Sequence, residues 1–240
     1  MGKNVLIIGA SGDIGIAISK ILAKEGYHLL LHYYTNDASI KKLRQMINNQ
    51  DCILTEIQAN LSLETDIQRF ITQIVYSVDI IIFAGGNAYY GLFQDMTEQT
   101  IDDMLKLHVK APLLITKNIL PQMIQKRTGK IIFVTSIWGR VGASHEVVYS
   151  TVKGAQNSFI KALAKEVAPS GISVNGISPG FINTKINDFL LEEEIKETIS
   201  SIPMQRAGTA NEIAHTVRFL CDDQSSYIQG EIIEVDGGWY

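Results

Sequence analysis

The chain has 240 residues, of which 46% are hydrophobic and 19% charged, a composition typical of a globular protein with a large core. The formal net charge is -4 at pH 7 and no basic tract is present, which argues against a nucleic-acid-binding or membrane-binding surface. The two cysteines, Cys52 and Cys221, are too few for a disulfide framework. Because residues 1–10 carry no targeting signal, we expect a cytoplasmic protein with free thiols and one domain over residues 1–240.

Short β-branched runs alternate with longer amphipathic stretches along the whole chain, which is typical of parallel strands joined by helices. Several of the short runs are apolar throughout, as strands covered by helices on both faces are. We therefore predict an α/β fold of Rossmann type, with a doubly wound parallel sheet of about seven strands. The predicted strands are Asn4–Ile8, His28–His32, Cys52–Gln58, Asp79–Phe83, Lys130–Thr135, Ile172–Ile177 and Glu231–Val235. The predicted helices are Ile14–Glu25, Leu43–Asn49, Thr65–Val78, Ile101–Arg127, Val147–Val167 and Asn211–Asp222.

Three glycines lie between a predicted helix and the strand that follows it: Gly26, Gly129 and Gly171. We expect each to be a left-handed residue that ends its helix. The alternation of strands and helices is interrupted once, at Phe181–Gln205, a segment with three acids at Glu192–Glu194. Two interpretations fit this segment: a lid or binding element, or a solvated surface helix.

The first predicted strand leads into a glycine-rich turn that opens the first helix. Glycines at such a turn let the backbone approach a pyrophosphate, and the helix amino terminus offers N–H donors and partial positive charge. The turn therefore predicts a dinucleotide cofactor. Asp13 places a carboxylate near these phosphates, where it can instead cap the helix. The residues of the turn are Gly9, Ala10, Ser11, Gly12, Asp13, Ile14 and Gly15.

The end of the second strand predicts which cofactor is bound. A carboxylate there bonds the ribose 2′-hydroxyl of NAD and repels the 2′-phosphate of NADP. Here the strand runs from His32 through Tyr33 to Asn36, and the first acid, Asp37, lies beyond it. Although no arginine marks a 2′-phosphate site, we predict NADPH, with Tyr33 among the residues that contact it.

Three residues predict the chemistry: Ser136 at the end of the fifth strand, then Tyr149 and Lys153. Tyr149 and Lys153 are four positions apart at the start of a helix, so they share one face of it. An adjacent ammonium and the positive ring of a bound cofactor favour the phenolate, and together they are expected to lower the pKa of Tyr149 toward the working range of a proton donor. Ser136 can hydrogen-bond a carbonyl oxygen as charge builds on it during hydride transfer. No metal site is predicted.

With these motifs, the sequence resembles the short-chain dehydrogenase/reductase family over essentially its whole length. Further likeness lies in Asn175 and Gly237-Gly238. The resemblance implies that Ser136, Tyr149 and Lys153 are catalytic. It also implies that cofactor contacts beyond the glycine turn are made by Asn60, Leu61, Ala84, Gly85, Tyr149, Lys153, Pro179, Gly180, Ile182 and Thr184.

The sequence departs from the family pattern at two places. Phe83 replaces the asparagine of the motif Asn-Ala-Gly, so a polar structural residue is lost. His108 aligns with the asparagine that holds a water in the proton relay to the catalytic lysine. Either a ring nitrogen of His108 serves that relay or His108 is a buried structural residue.

Two substrate classes follow from the resemblance. Many relatives are 3-oxoacyl carrier-protein reductases, for which Arg127 is a basic docking residue, while Ser170 stands where a second arginine is common. A narrower likeness is to the elongation factor P 5-aminopentanone reductases, which reduce a ketone on a modified lysine of that translation factor. The residues that carry this likeness are Gly12–Gly15, Leu31–Tyr33, His108, Ser136–Gly139, Gly142–Ser150 and Gly237–Trp239.

The predicted substrate contacts suit a group that ends in an ammonium. Glu146 can pair with the charge, and Tyr89 and Tyr90 can stack against it. Trp138 and Asn87 complete the predicted substrate site. The alternatives for Glu146 and Trp138 are a helix amino-terminal acid and a packing aromatic.

The competing hypothesis of another class is a dinucleotide sensor that binds its cofactor without catalysis. His108 and Phe83 would then be signs of drift, although Ser136, Tyr149 and Lys153 are all present at their expected separations. The family resemblance also implies a homotetramer.

Overall fold

The computed structural model describes residues 2–47, 52–187 and 190–240. Its centre is a seven-stranded sheet in the order β3-β2-β1-β4-β5-β6-β7, in which all neighbouring strands are parallel. The predicted Rossmann-type fold is confirmed. The strands are β1 (Asn4–Ile8), β2 (His28–Tyr33), β3 (Leu54–Gln58), β4 (Ile80–Phe83), β5 (Gly129–Val134), β6 (Ile172–Pro179) and β7 (Ile232–Val235).

Helices connect the strands and cover both faces of the sheet. Because side chains alternate along each strand, Leu6 and Ile8 of β1 belong to one core cluster and Val5 and Ile7 to the other. The helices are α1 (Asp13–Lys24), α2 (Asp37–Met46), α3 (Glu64–Gln73), α4 (Glu98–Leu105), α5 (Ala111–Lys126), α6 (Trp138–Val141), α7 (Val147–Val167), α8 (Glu192–Ser201) and α9 (Ala210–Cys221).

Three predicted helices differ from the structure. The helix expected over Thr65–Val78 ends five residues earlier, since α3 spans Glu64–Gln73. The single helix expected over Ile101–Arg127 is instead α4 and α5, joined by a π-helical turn at Lys106–Lys110 that contains His108. The helix expected over Leu43–Asn49 begins earlier, because the Asn36 side chain accepts a hydrogen bond from the Ser39 N–H and caps it. Residues 48–49 of that prediction lie outside the described residues.

One of the three expected glycine caps is wrong. Gly26 and Gly171 are left-handed, with φ of 82° and 73°. Gly129 is instead the first residue of β5, and the left-handed residue that ends α5 is Arg127, with φ of 55°. The helix therefore stops two residues earlier than the glycine indicated.

The sheet order reverses between β1 and β4, which opens a crevice at the carboxyl ends of these strands. The acidic segment after β6 lies beside this edge and forms a short helical turn at Lys185–Asn187 followed by α8. Across the part of the chain that the structure describes, no helix has the length and apolar character needed to cross a membrane.

Candidate active site

Two clefts adjoin at the carboxyl edge of the sheet. The cofactor cleft, of about 860 Å³, contains the glycine turn and the ends of β2 and β3. The substrate cleft, of about 610 Å³, contains the ends of β5 and β6 and the start of α7. An elongated ligand can therefore extend from one into the other. The residues that line both clefts are Ile14, Ala84, Gly85, Gly86, Ala88, Thr184 and Ile186.

The glycine turn brings two backbone segments into contact. Gly9 has φ of 82°, and a Cβ atom there would collide with Gly85 on the neighbouring strand end. A Cβ atom on Gly15 would collide with the Gly9 carbonyl oxygen, which is why α1 packs so closely on the turn. Gly9, Ser11 and Gly12 line the cofactor cleft, whereas Gly15 serves packing behind it. The turn thus fits a pyrophosphate at the amino terminus of α1.

His32 supports this turn and was missed as a site residue by sequence reasoning. Its Nδ1 accepts a hydrogen bond from the Gly9 N–H at 3.2 Å, and its Nε2 donates to the Ala59 carbonyl at 3.1 Å. Burial lowers the pKa of His32 to about 4, so the ring is neutral near pH 7. A histidine within an apolar strand gives no sequence signal for this role.

Asp13 lines the cofactor cleft without capping α1. Its carboxylate accepts a hydrogen bond from the Lys185 N–H at 2.8 Å. The α1 amino terminus has no side-chain cap, so the capping role considered for Asp13 is wrong. Asp13 instead ties the segment after β6 across the entrance between the two clefts.

The end of β2 presents neutral groups to the cofactor cleft. Tyr33, Tyr34, Thr35 and Asn36 line it. Asp37 is not among the described lining residues, and its carboxylate pairs with Lys41 at 2.8 Å on the surface of α2. The repulsive carboxylate expected of an NAD site is therefore missing from the described wall at this strand end.

The remaining residues expected at the cofactor divide between the clefts. Asn60 and Leu61 line the cofactor cleft, beside the end of β3. Pro179, Gly180 and Ile182 line the substrate cleft, and Thr184 lines both.

The three predicted catalytic residues converge on the substrate cleft. Ser136 follows β5, and its side chain lies beside Tyr149 in the cleft, where it counteracts part of the rise in the pKa of the tyrosine hydroxyl. Lys153 is one helical turn beyond Tyr149 on α7, with Nζ 5.5 Å from the centre of the tyrosine ring. The Lys153 ammonium donates to the Val134 carbonyl at 3.0 Å, which fixes it beneath the cleft. The sequence spacing of these residues therefore produces one compact cluster.

Burial dominates the acid–base properties of this cluster. It raises the pKa of Tyr149 far above its usual value, and the nearby Glu146 carboxylate adds to the effect. It also lowers the pKa of Lys153 to about 7. The expectation that Lys153 lowers the pKa of Tyr149 is not met in the protein alone, where Tyr149 is a fully protonated acid at neutral pH.

His108 lies behind Tyr149, with ring centres 5.9 Å apart in an edge-on arrangement. Its Nε2 contacts the Asn87 carbonyl at 2.9 Å, and its own carbonyl accepts a hydrogen bond from Gln156 at 2.7 Å. Burial, and then the Lys153 charge, lowers the pKa of His108 to about 3. The ring is thus neutral, and its buried Nδ1 has no hydrogen-bond partner among the described residues.

Two of the five residues expected at the substrate lie elsewhere. Trp138 and Glu146 line the substrate cleft. Asn87 lines the cofactor cleft and holds His108, so its expected place is corrected. Tyr89 is absent from the described linings of both clefts, because it packs against the cluster of Met104, Val148 and Val152; Tyr90 lines the substrate cleft instead.

Several lining residues were not anticipated from the sequence. Trp239 and Tyr240 reach the substrate cleft from beyond β7, and Glu194 and Glu197 reach it from α8. Only the acidic character of the segment after β6 hinted at the two glutamates.

The absence of the family asparagine at Phe83 has a packing explanation. The Phe83 ring is buried and stacks on Phe133 with centres 4.5 Å apart, so an apolar contact replaces a polar one. Within the described ranges, no three acidic, histidine or cysteine side chains are grouped so as to hold a metal ion.

Comparison with known proteins agrees with this site. A family model described as enoyl-(acyl carrier protein) reductase matches residues 9–240. The uncharacterized oxidoreductase YmfI of Bacillus subtilis is 43% identical over 241 residues, which cover 100% of each chain. The 3-oxoacyl-[acyl-carrier-protein] reductase FabG of Staphylococcus epidermidis is 32% identical over 243 residues, again covering 100% of each.

A solved structure supports the fold independently. YwfH, described as an NADPH dependent reductase involved in bacilysin biosynthesis, has a TM-score of 0.92 at 23% identity, covering 100% of this chain and 99% of that chain. The family resemblance expected from the glycine turn, Ser136, Tyr149 and Lys153 is confirmed by these matches. The chain is a member of the short-chain dehydrogenase/reductase family of oxidoreductases.

Proposed function

We propose that the protein uses NADPH to reduce a ketone to a secondary alcohol, and that the ketone is the 5-aminopentanone group on a modified lysine of elongation factor P. The observation that carries the reaction is the placement of Ser136 and Tyr149 together in the substrate cleft, with Lys153 fixed beneath them. The observation that favours this substrate is the charge of the cleft in which they lie.

The reaction needs one hydride and one proton. NADPH, when bound, supplies the hydride that adds to the carbonyl carbon. Tyr149 donates its phenolic proton to the carbonyl oxygen, which suits a group whose raised pKa keeps it protonated. Ser136 donates a hydrogen bond to the same oxygen as negative charge builds on it. Lys153, in its charged form, stabilises the phenolate until a proton returns from solvent.

We assign His108 a positioning role. Its ring is committed to Asn87 and packs edge-on against Tyr149, and its carbonyl is committed to Gln156. These contacts fix the position of the Tyr149 ring relative to the segment that follows β4. The ring also lines the substrate cleft, and its Nδ1 makes no hydrogen bond to the described residues.

Two features support NADPH over NADH. The described lining at the end of β2 is neutral, so a 2′-phosphate meets no carboxylate there. YwfH, the structural neighbour, is described as NADPH dependent.

The charges around the substrate cleft favour an amine-bearing ketone over an acyl carrier-protein thioester. Glu146, Glu194 and Glu197 line the cleft, and Lys153 is the one cation in its described lining. Such a cleft attracts an ammonium and repels the phosphate of a carrier-protein arm. Arg127 precedes β5 and therefore lies at the amino ends of the strands, whereas the cleft lies at their carboxyl ends.

Mass spectrometry of elongation factor P tests the substrate. A strain lacking this protein should accumulate the ketone form, and the purified enzyme with NADPH should convert it to the alcohol, adding two hydrogen atoms. Mature alcohol in the deletion strain would reject the proposal.

The runner-up is 3-oxoacyl carrier-protein reduction, supported by the 32% identity to FabG. Rapid NADPH oxidation with acetoacetyl carrier protein, abolished by Arg127→Glu, would favour it. A sensor without catalysis would bind NADPH tightly and turn over neither ketone. As part of the proposal we also expect a cytoplasmic homotetramer, which light scattering after size exclusion will test.

A further inference from the structure

Three aromatic rings form one wall of the substrate cleft. Trp138 begins α6, while Trp239 and Tyr240 follow β7. The ring centres of Trp138 lie 5.3 Å from Trp239 and 5.7 Å from Tyr240, and those two are 5.4 Å from each other. We call these three residues the aromatic wall.

The aromatic wall is separate from the hydrophobic core. None of its rings belongs to the three described core clusters, and Tyr240 is 52% exposed. The wall is held by the backbone of its own turn, because the Asp236 carboxylate accepts hydrogen bonds from the Gly238 and Tyr240 N–H groups. Packing alone therefore does not explain why three large rings meet at the cleft.

A carboxylate lies at the edge of the aromatic wall. Glu146 lines the same cleft as Trp138 and is partly buried, and this burial raises the pKa of its carboxyl group. The negative faces of aromatic rings attract cations, most strongly for tryptophan, and a neighbouring carboxylate adds a full charge. Recognition of quaternary ammonium groups by clustered aromatic rings follows the same physics.

We propose that Trp138, Trp239, Tyr240 and Glu146 form a cation subsite that takes an ammonium group carried by the ketone substrate. This inference rests on the proposed ketone reduction and specifies where the positive end of the substrate lies. Tyr227, which is fully exposed and is in the described lining of neither cleft, is the aromatic control.

A pair of isosteric ketones tests the subsite in the full-length enzyme with NADPH. The first is 5-(trimethylammonio)-2-pentanone, and the second is 6,6-dimethyl-2-heptanone, in which carbon replaces the charged nitrogen. We expect kcat/KM to be about tenfold higher for the cation. Trp239→Leu and Glu146→Gln should each lower this ratio by several-fold, whereas Tyr227→Leu should leave the ratio unchanged.

Tryptophan fluorescence gives a readout that needs no turnover. The chain has two tryptophans, Trp138 and Trp239, and both are in the aromatic wall. Excitation at wavelengths that tyrosine does not absorb therefore reports on this wall alone. We expect the charged ketone to change the emission at concentrations where the neutral isostere does not.

The outcomes separate the subsite from the proposed function. If both ketones are reduced with equal kcat/KM, or if Trp239→Leu keeps the full ratio, the subsite is wrong and ketone reduction stands. If neither ketone is reduced, the fluorescence titration still decides whether the cation binds at the aromatic wall. Equal fluorescence responses to both ketones would reject the subsite.

Discussion

The two clefts lie at the same edge of the sheet, but one depends on contacts between backbone segments and the other on side chains. The cofactor cleft depends on a backbone contact, where Gly9 and Gly85 meet without side chains between them. The substrate cleft is formed by side chains from distant parts of the chain, such as Trp138, Glu146 and Trp239. A backbone cleft tolerates few substitutions and keeps one ligand, whereas a side-chain cleft can change specificity without changing the fold.

The cluster of Ser136, Tyr149 and Lys153 combines both features, because its side chains perform the chemistry while the backbone of β5 and α7 fixes their positions. Tyr149→Phe removes the proton donor and keeps the ring that packs against His108. We expect kcat to fall by about 10³-fold, or about 4 kcal/mol, while NADPH binding stays within a few-fold of the original. Steady-state kinetics and a fluorescence titration with NADPH measure the two quantities. Turnover within tenfold of the original enzyme would show that Tyr149 is not the acid.

The backbone character of the cofactor cleft can be tested with a matched pair of glycines. Gly9 and Gly26 both have φ of 82°, but a Cβ atom at Gly9 would strike Gly85 whereas one at Gly26 has nothing within 4 Å. Gly26→Ala should cost only the backbone strain, about 1 kcal/mol. Gly9→Ala adds the steric clash, for a total of about 3 kcal/mol, and weakens NADPH binding. Urea denaturation gives both free energies, and equal losses would refute the close contact.

The contrast between the clefts also explains what the sequence predicted well. The glycine turn is contiguous, and hydrophobic periodicity located all seven strands to within about two residues. Ser136, Tyr149 and Lys153 were placed together because one helical turn and one strand end determine their separation.

Long-range contacts determine the features that were missed. Nothing in the local sequence indicates that Trp239 will contact Trp138. The two residues meet because they follow β5 and β7, which lie on either side of β6 in the sheet. Tyr89 and Tyr90 are adjacent residues of the same type. Tyr89 packs against Val148 and Val152, and this contact leaves Tyr90 to face the cleft. The π-helical turn at His108 likewise interrupts a helix whose pattern is continuous in sequence.

Substitution of Asn36 tests the preference for NADPH over NADH. Asn36 lines the cofactor cleft and caps α2 through its side chain, so Asn36→Asp keeps the cap and adds a charge. The carboxylate should repel a 2′-phosphate and lower the ratio of kcat/KM for NADPH over NADH by roughly tenfold to a hundredfold. Asn36→Ser, a cap without charge, is the control and should change the ratio little. A ratio unaffected by Asn36→Asp would place the 2′-phosphate elsewhere.

The neutral histidines beside the two clefts make stability depend on pH in a definite direction. Burial lowers the pKa of His32 to about 4 and that of His108 to about 3, from 6.5 in the unfolded chain. Below pH 6.5 the unfolded chain therefore binds protons that the folded protein excludes. The free energy of unfolding is thus highest above pH 6.5, and each histidine removes about 1.4 kcal/mol per pH unit as the pH falls toward 4.

His108→Asn eliminates one of these two titrations while keeping a polar side chain. The fall in unfolding free energy between pH 6.5 and 4.5 should become shallower by up to about 2 kcal/mol, as measured by urea denaturation at each pH. His215→Asn, at an exposed position on α9, should leave the slope unchanged. An identical slope in the His108 variant would mean that the ring is protonated in the folded protein. In that case the ammonium of Lys153 would have a positive neighbour, and the low pKa of His108 assigned from its burial would be wrong.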